Sequence, residues 1–250
     1  MSIREAVHID AGGVPYRELN ERVRRALQGG ARDISLVNVQ GQRYIGAGLS
    51  GAATIAVNGV PGNNLACFMS GPRITVNGNA QDGVANTMSA GTVVIHGGAG
   101  DVLAYSMRGG KVFVRGDAGY RVGIHMKAFR DRSPVVMIGG SVKDYLGEYM
   151  AGGTLAVLGL DLPDGQPLAG EFVGTGMHGG DMFLRGRVEK WQLGEEVGVV
   201  EIDDRSWSAL SGHLCGYSRE FGLDPAWLRR DEFTRLRPVS HRPYGKIYVY

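Results

Sequence analysis

A chain of 250 residues and 26.8 kDa, 43% hydrophobic and 21% charged, has room for one large domain or two small ones, and this composition excludes disorder as its main state. Lys and Arg number 27 against 25 Asp and Glu, so the net charge of +2 carries no long-range field of the kind a nucleic-acid binder presents. The apolar runs are short and broken by Gly, below the roughly 18 to 20 residues of a membrane span, and Met1–Arg4 opens no signal-peptide core, which predicts a cytoplasmic protein with neither nucleic acid nor membrane as partner. Cys67 and Cys215 lack a neighbouring cysteine for a CxxC metal or redox unit and read as packed, reduced thiols. Glycine is the abnormal count, 41 of 250 residues, more than double the typical share of about 7%.

In chain order, residues 1–32 form an N-terminal cap. Pro15 through Leu27 places Tyr16, Leu19, Val23 and Leu27 on one helical face, Pro15 suits the first turn, and Gly29-Gly30 ends the helix. Residues 33–203 then repeat. Met69, Met88, Met107 and Met126 stand 19 residues apart, preceded by Leu49 and followed by Met150 and Met177, which defines seven units. Three positions before this Leu/Met column stand Gly46, Ala66, Ala85, Ala104, Gly123, Gly147 and Gly174. Two positions after it stand Gly51, Gly71, Ala90, Gly109, Ala128, Gly152 and Gly179. Gly51, Gly71, Gly109, Gly152 and Gly179 are read as turn glycines with positive φ or no room for a Cβ.

Each unit carries one short alternating strand, with inward pairs Ile55/Val57, Ile74/Val76, Val93/Ile95, Val112/Val114, Val135/Met137, Leu155/Val157 and Met182/Leu184. A unit of 19 residues is too short for a strand, a crossover helix and two turns, which need roughly 30. The economical fold is all-β, a parallel β-helix of about seven coils with the Met column as an interior ladder and helices capping both ends. The longer units place insertions outside the coil at Phe129–Ser133 and Asp161–Pro167. Residues 204–250 supply the C-terminal cap: after Asp203-Asp204, Trp207, Leu210, Leu214, Tyr217 and Phe221 recur at helical spacing, and Leu236 to Tyr250 reads as an extended arm.

Candidate chemistry is sparse. Gly46, Gly48, Gly51 and Gly174, Gly176, Gly179 match G-x-G-x-x-G, but a repeat strand follows each where a dinucleotide site needs a helix. His96 lies in a polar edge column with Asn58, Asn77, Arg115 and Arg185, His125 and His178 flank the Met column, and His8, His213 and His241 lack metal-like spacing. Asn63, Asp82, Asp101, Tyr120, Asp144 and Glu171 form a second polar column. Paired carboxylates there would shift each other's pKa or hold a cation, whereas turn chemistry, in which Asp and Asn accept backbone N–H bonds, explains the column without a catalytic role and is preferred. No catalytic, cofactor-binding or metal residue is therefore assigned to this chain. The outward strand positions Val94, Phe113, Val136 and Phe183 form an apolar line that is covered either by the terminal helix or by another subunit, and together with Tyr244, Tyr248 and Tyr250 of the arm they are the partner-docking candidates.

Gly83-Val84-Ala85-Asn86-Thr87-Met88 and Asp144 through Gly153, within seven phased units over residues 33 to 203, resemble the GXGXG β-helix domain at the C-terminus of the glutamate synthase large subunit. The resemblance implies a right-handed β-helix that acts as a non-catalytic scaffold. It also implies partners: a class II glutamine-amidotransferase-like subunit, since this chain begins Met1-Ser2 without an N-terminal cysteine nucleophile, and an FMN and iron-sulfur glutamate-synthase-like subunit, since there is no cysteine cluster and no space for an FMN barrel. Stand-alone chains of this kind resemble the middle subunit of N-methylglutamate synthase, in a hetero-oligomer making N-methylglutamate from methylamine and glutamate. The alternative reading is the repeat-bearing subunit of formylmethanofuran dehydrogenase or of the formyltransferase/hydrolase complex, which the same repeat also resembles.

Overall fold

The computed structural model describes residues 6–239 apart from 164 and 228. Strand β1 (Val7–Asp10) and helix α1 (Tyr16–Gln28) precede eight successive parallel strands: β2 (Asp33–Gln40), β3 (Thr54–Val60), β4 (Ser70–Asn77), β5 (Ala90–Ile95), β6 (Lys111–Val114), β7 (Val135–Ile138), β8 (Ala151–Val157) and β9 (Gly179–Arg185). Then come β10 (Val197–Val200), α2 (Asp204–Phe221) and β11 (Phe233–Pro238). Sheet order is β1-β2-β3-β4-β5-β6-β7-β8-β9-β11-β10, parallel from β1 to β9 and antiparallel thereafter. The chain is thus a parallel β-solenoid of about six turns, slightly fewer than the seven repeat units.

Register follows the repeat. Ile55 pairs with Ile74, Ile74 with Val93, Val93 with Val112, Val112 with Val136, Val136 with Leu155 and Leu155 with Met182, and all are buried in one core. Met69, Met88, Met107, Met126, Met150 and Met177 are fully buried in the same core, so the interior is filled by apolar side chains. The inward pair of β7 is Val136/Ile138, correcting Val135/Met137. All four residues of β7 are buried, so its alternation is erased, and the insertion before it shifts the phase by which the other strands are read.

Both ends are closed. From α1, Leu19 and Val23 are buried against the first coils, and β1 adds a parallel rung on β2. At the other end β11 covers the edge of β9 through Leu236↔Met182 and Leu184↔Thr234, so the first part of the expected arm is a paired strand; residues 240–250 of the arm lie outside the described residues. Arg235, 8% exposed, anchors β11 through Asp181 and the Glu201 carbonyl. Helix α2 begins at Asp203, whose carboxylate accepts the Ser206 N–H at 2.7 Å, and stops at Gly222 in the left-handed conformation.

Candidate functional site

The corner that precedes each Met is built from three left-handed residues alternating with ordinary ones: Tyr44/Gly46/Gly48, Asn64/Ala66/Phe68, Gly83/Ala85/Thr87, Val102/Ala104/Ser106, Arg121/Gly123/His125, Tyr145/Gly147/Tyr149 and Phe172/Gly174/Gly176 all have φ between 52° and 76°. Alternation sends successive N–H groups to opposite neighbours. The Asn64 N–H donates forward to the Asp82 carbonyl, that of Ala66 back to Ile45, and that of Phe68 forward to Asn86, each at 2.8 Å. Thus the corner is hydrogen-bonded to both adjacent coils as a strand would be. The middle position faces the core: a Cβ on Gly46 would lie 2.4 Å from Ile74 Cδ1, and one on Gly147 2.5 Å from Met182 Sδ, so these two positions take Gly, while Ala66, Ala85 and Ala104 are fully buried and leave room for nothing larger.

The outer two positions carry side chains away from the core. Tyr145 stacks on Phe172 (4.9 Å, 11°), the Arg121 guanidinium lies over Tyr145 at 4.3 Å and pairs with buried Glu148, His125 stacks on Tyr149 (5.1 Å, 10°), and Tyr105 meets His125 edge-on. Bulky residues in the left-handed region cost roughly 1 kcal/mol or more each, where Gly would cost little. This ladder went unread in the sequence, because its members recur at a fixed phase but with differing chemistry.

The polar column is a hydrogen-bonding device between coils. The Asp82 carboxylate accepts the Asp101 N–H, Asp101 that of Tyr120, and Asp144 that of Glu171, at 3.0, 2.9 and 2.9 Å. Each acceptor lies against a glycine of the next coil: a Cβ on Gly100, Gly119 or Gly170 would come within 2.1 Å of that carboxylate oxygen. The acceptance is across coils, 19 to 27 residues on, instead of the two-residue turn that local chemistry suggests.

The predicted docking line is not an open surface. Val94, Phe113, Met137, Ala156 and Phe183 occupy one register row, and α2 covers it with Leu210, Leu214 and Tyr217. Val94 is fully buried, and Phe113 and Phe183 are 3% exposed; Val136 belongs to the interior core, and Met137 takes the place assigned to it. The apolar outer face therefore has its cover within the chain. Tyr217 donates to the Val114 carbonyl at 3.0 Å, and its burial raises the phenol pKa far above the ordinary value. Tyr244, Tyr248 and Tyr250 lie outside the described residues.

Among the turn glycines, Gly51 (φ 80°) and Gly71 (φ 135°) have positive φ, and Gly71 also sits where a Cβ would meet the Gly51 carbonyl at 2.6 Å. Gly109 and Gly179 do not take the left-handed conformation. Their requirement is space, since a Cβ would lie 2.4 Å from the Ser89 oxygen and 2.5 Å from the Ala151 oxygen respectively. Gly152 likewise meets the Ala128 nitrogen at 2.5 Å. The two G-x-G-x-x-G stretches lead into β3 and β9, not into helices.

The histidines do not converge: His96 packs edge-on against Phe221 of α2, His178 Nδ1 lies 2.9 Å from the Gly176 oxygen, and His213 sits on α2 with its pKa lowered by burial and by Lys111. Burial likewise pushes the Cys67 thiol up, the direction of an inert packed cysteine. Among the described residues, no three His, Cys, Asp or Glu side chains are grouped as a metal site, and no helix is long and apolar enough to cross a membrane.

A repeat of glycine-paced corners on a parallel solenoid decides the family, and a sequence model of the GXGXG motif matches residues 30–221. The chain belongs to the GXGXG motif family. The match is consistent with the GXGXG domain of glutamate-synthase-like proteins, and β1 and the whole of α1 precede it while β11 follows it. An uncharacterized protein of Methanocaldococcus jannaschii is 46% identical over 253 residues, covering 98% of this chain and 97% of that protein.

Proposed function

We propose that this GXGXG solenoid is the scaffold subunit of a glutamate-synthase-like complex, with N-methylglutamate synthase the best fit, making N-methylglutamate and ammonia from methylamine and glutamate. Its partners are a class II amidotransferase-like subunit and a second one bearing FMN and iron-sulfur clusters. The observation that carries the reading is the family match over 30–221.

The filled core limits how such a scaffold works. Val, Ile, Leu and Met side chains occupy the solenoid axis, so ammonia or methylamine has no path through it. Any route this chain walls runs along its outer surface, closed by a partner. The inter-coil ladders suit that task, since they hold exterior side chains at fixed spacing on rigid coils.

The test is reconstitution. This chain is mixed with purified FMN/iron-sulfur and amidotransferase-like subunits, and N-methylglutamate formed from methylamine and glutamate is measured with and without it. The expected result is one assembly with flavin and iron-sulfur absorbance whose activity depends on this chain. An assembly that forms only with flavin-free formyltransferase-type subunits would replace this reading.

A further inference from the structure

The insertion after Met126 adds nothing to the solenoid core. Phe129 and Arg132 exchange backbone hydrogen bonds at 2.9 and 3.1 Å, closing a tight projection whose tip residue, Arg130, is left-handed (φ 58°). Phe129 is 42% exposed, and the Arg130 guanidinium lies 5.2 Å from its ring. The base is fixed, because a Cβ on buried Gly109 would lie 3.1 Å from Arg132 Cβ. Around this projection Arg108 and Lys127 sit on adjacent coils at the same phase, joined by way of Met107, and Lys111 opens β6 beside the start of β7. Arg108, Lys111, Lys127, Arg130 and Arg132 are all exposed, and among the described residues none forms an ion pair. Asp131 is the acidic residue among them and is itself exposed, without an ion pair among the described residues.

Elsewhere on the solenoid four arginines are paired, Arg73 with Glu220, Arg115 with Asp161, Arg121 with Glu148 and Arg185 with Glu232, and Arg43 and Arg187, without an ion pair among the described residues, stand apart from one another on the first and last coils. We propose that the 128–133 projection and its ring of cations form the docking surface for an acidic face of a partner subunit, a proposal that rests on the glutamate-synthase-like reading. An exposed aromatic held under an arginine matches the residues that dominate protein interfaces, and uncompensated positive charge selects a negative counterpart and speeds its approach. The charge is local, on a chain whose total is only +2, which favours a protein face over a nucleic acid that needs an extended basic field.

The experiment measures binding of the intact chain to the purified FMN/iron-sulfur subunit and, separately, to the amidotransferase-like subunit, at 50 and 300 mM salt (about 14 and 6 Å screening length). Lys127→Glu with Arg130→Glu is compared with a control, Arg187→Glu with Lys190→Glu, at exposed sites on the last coil. Arg132 is kept, because its stem covers Gly109. The expected result is binding of the wild type to one subunit, weakened by salt and at least about tenfold by the first pair but not by the control. Wild-type binding that survives the first pair overturns the docking surface and leaves the functional reading standing. Absence of wild-type binding to either subunit overturns both. A 20-base-pair DNA duplex, used as a second probe, overturns the protein assignment if it binds more tightly than either subunit and loses its affinity in the first pair.

Discussion

At the scale of single residues, glycine serves two separate needs that one sequence count cannot distinguish. Gly46, Gly123, Gly147 and Gly174 are left-handed and face the core, whereas Gly109 has ordinary backbone and lies against the Ser89 carbonyl of the preceding coil. Gly109→Val should therefore lower the melting temperature because a branched side chain meets a backbone oxygen at 2.4 Å, a clash of the kind that costs about 1 to 3 kcal/mol or more in packed structure. An unchanged melting temperature would mean the coils separate there at little cost. Recurrence of small residues was legible in the sequence. Their two causes were not, because φ and inter-coil distance leave the same trace, a missing side chain. The left-handed Tyr145, Tyr149 and Phe172 were illegible for a related reason: bulky residues seldom take that conformation, so nothing in their type announces it.

Among the elements, α2 changes the reading of the outer face. Residue pattern alone left two covers open for Val94, Phe113 and Phe183, the chain's own helix or another subunit, and the helix is the one present, with Leu214 fully buried between coils and helix axis. Phe113→Asp is then a folding variant, placing an unpaired carboxylate in a dry contact, and should unfold the helix contact or the domain in thermal melts. A Phe113→Asp protein that melts normally would show that α2 does not pack there. Leu214→Ala should cost about 2 to 5 kcal/mol by leaving a cavity.

His213 gives this contact a pH dependence. Its folded pKa lies below the ordinary imidazole value because burial and Lys111 disfavour its charge, so the folded chain binds fewer protons than the unfolded. The stability it supports is present above the ordinary imidazole range and is lost as pH falls through that range toward the lowered value. The melting temperature should drop between pH 7 and pH 5, and His213→Gln should flatten part of that drop; an identical pH profile in the variant would remove His213 as the cause. Helix α2 was readable from its apolar period and its Asp203 cap, but its position was not, since periodicity names a buried face without naming what it touches.

Over the whole molecule, the architecture was legible because repetition multiplies weak signals: seven phased units specify stacking that no single strand could. Register slipped at one point, β7, where the insertion and burial on both faces remove the alternation that reports direction. The strands that finish the sheet, β1 at one edge and β11 with β10 at the other, lie outside the seven units and pair in ways that a local pattern does not encode. What results is a rigid rod with a filled axis, a helix sealing one side and side chains displayed at coil spacing on the remainder. Such a body has its outer surface as its working part.

Hydrogen-exchange mass spectrometry of this chain, alone and in complex with the FMN/iron-sulfur and amidotransferase-like subunits, tests that claim most directly. Protection gained on assembly should fall on exterior corners and on the 128–133 projection, with core strands β4 to β8 unchanged because they are already protected. Unchanged exchange along the whole outer surface of an assembled complex, or protection confined to α2, would contradict the account.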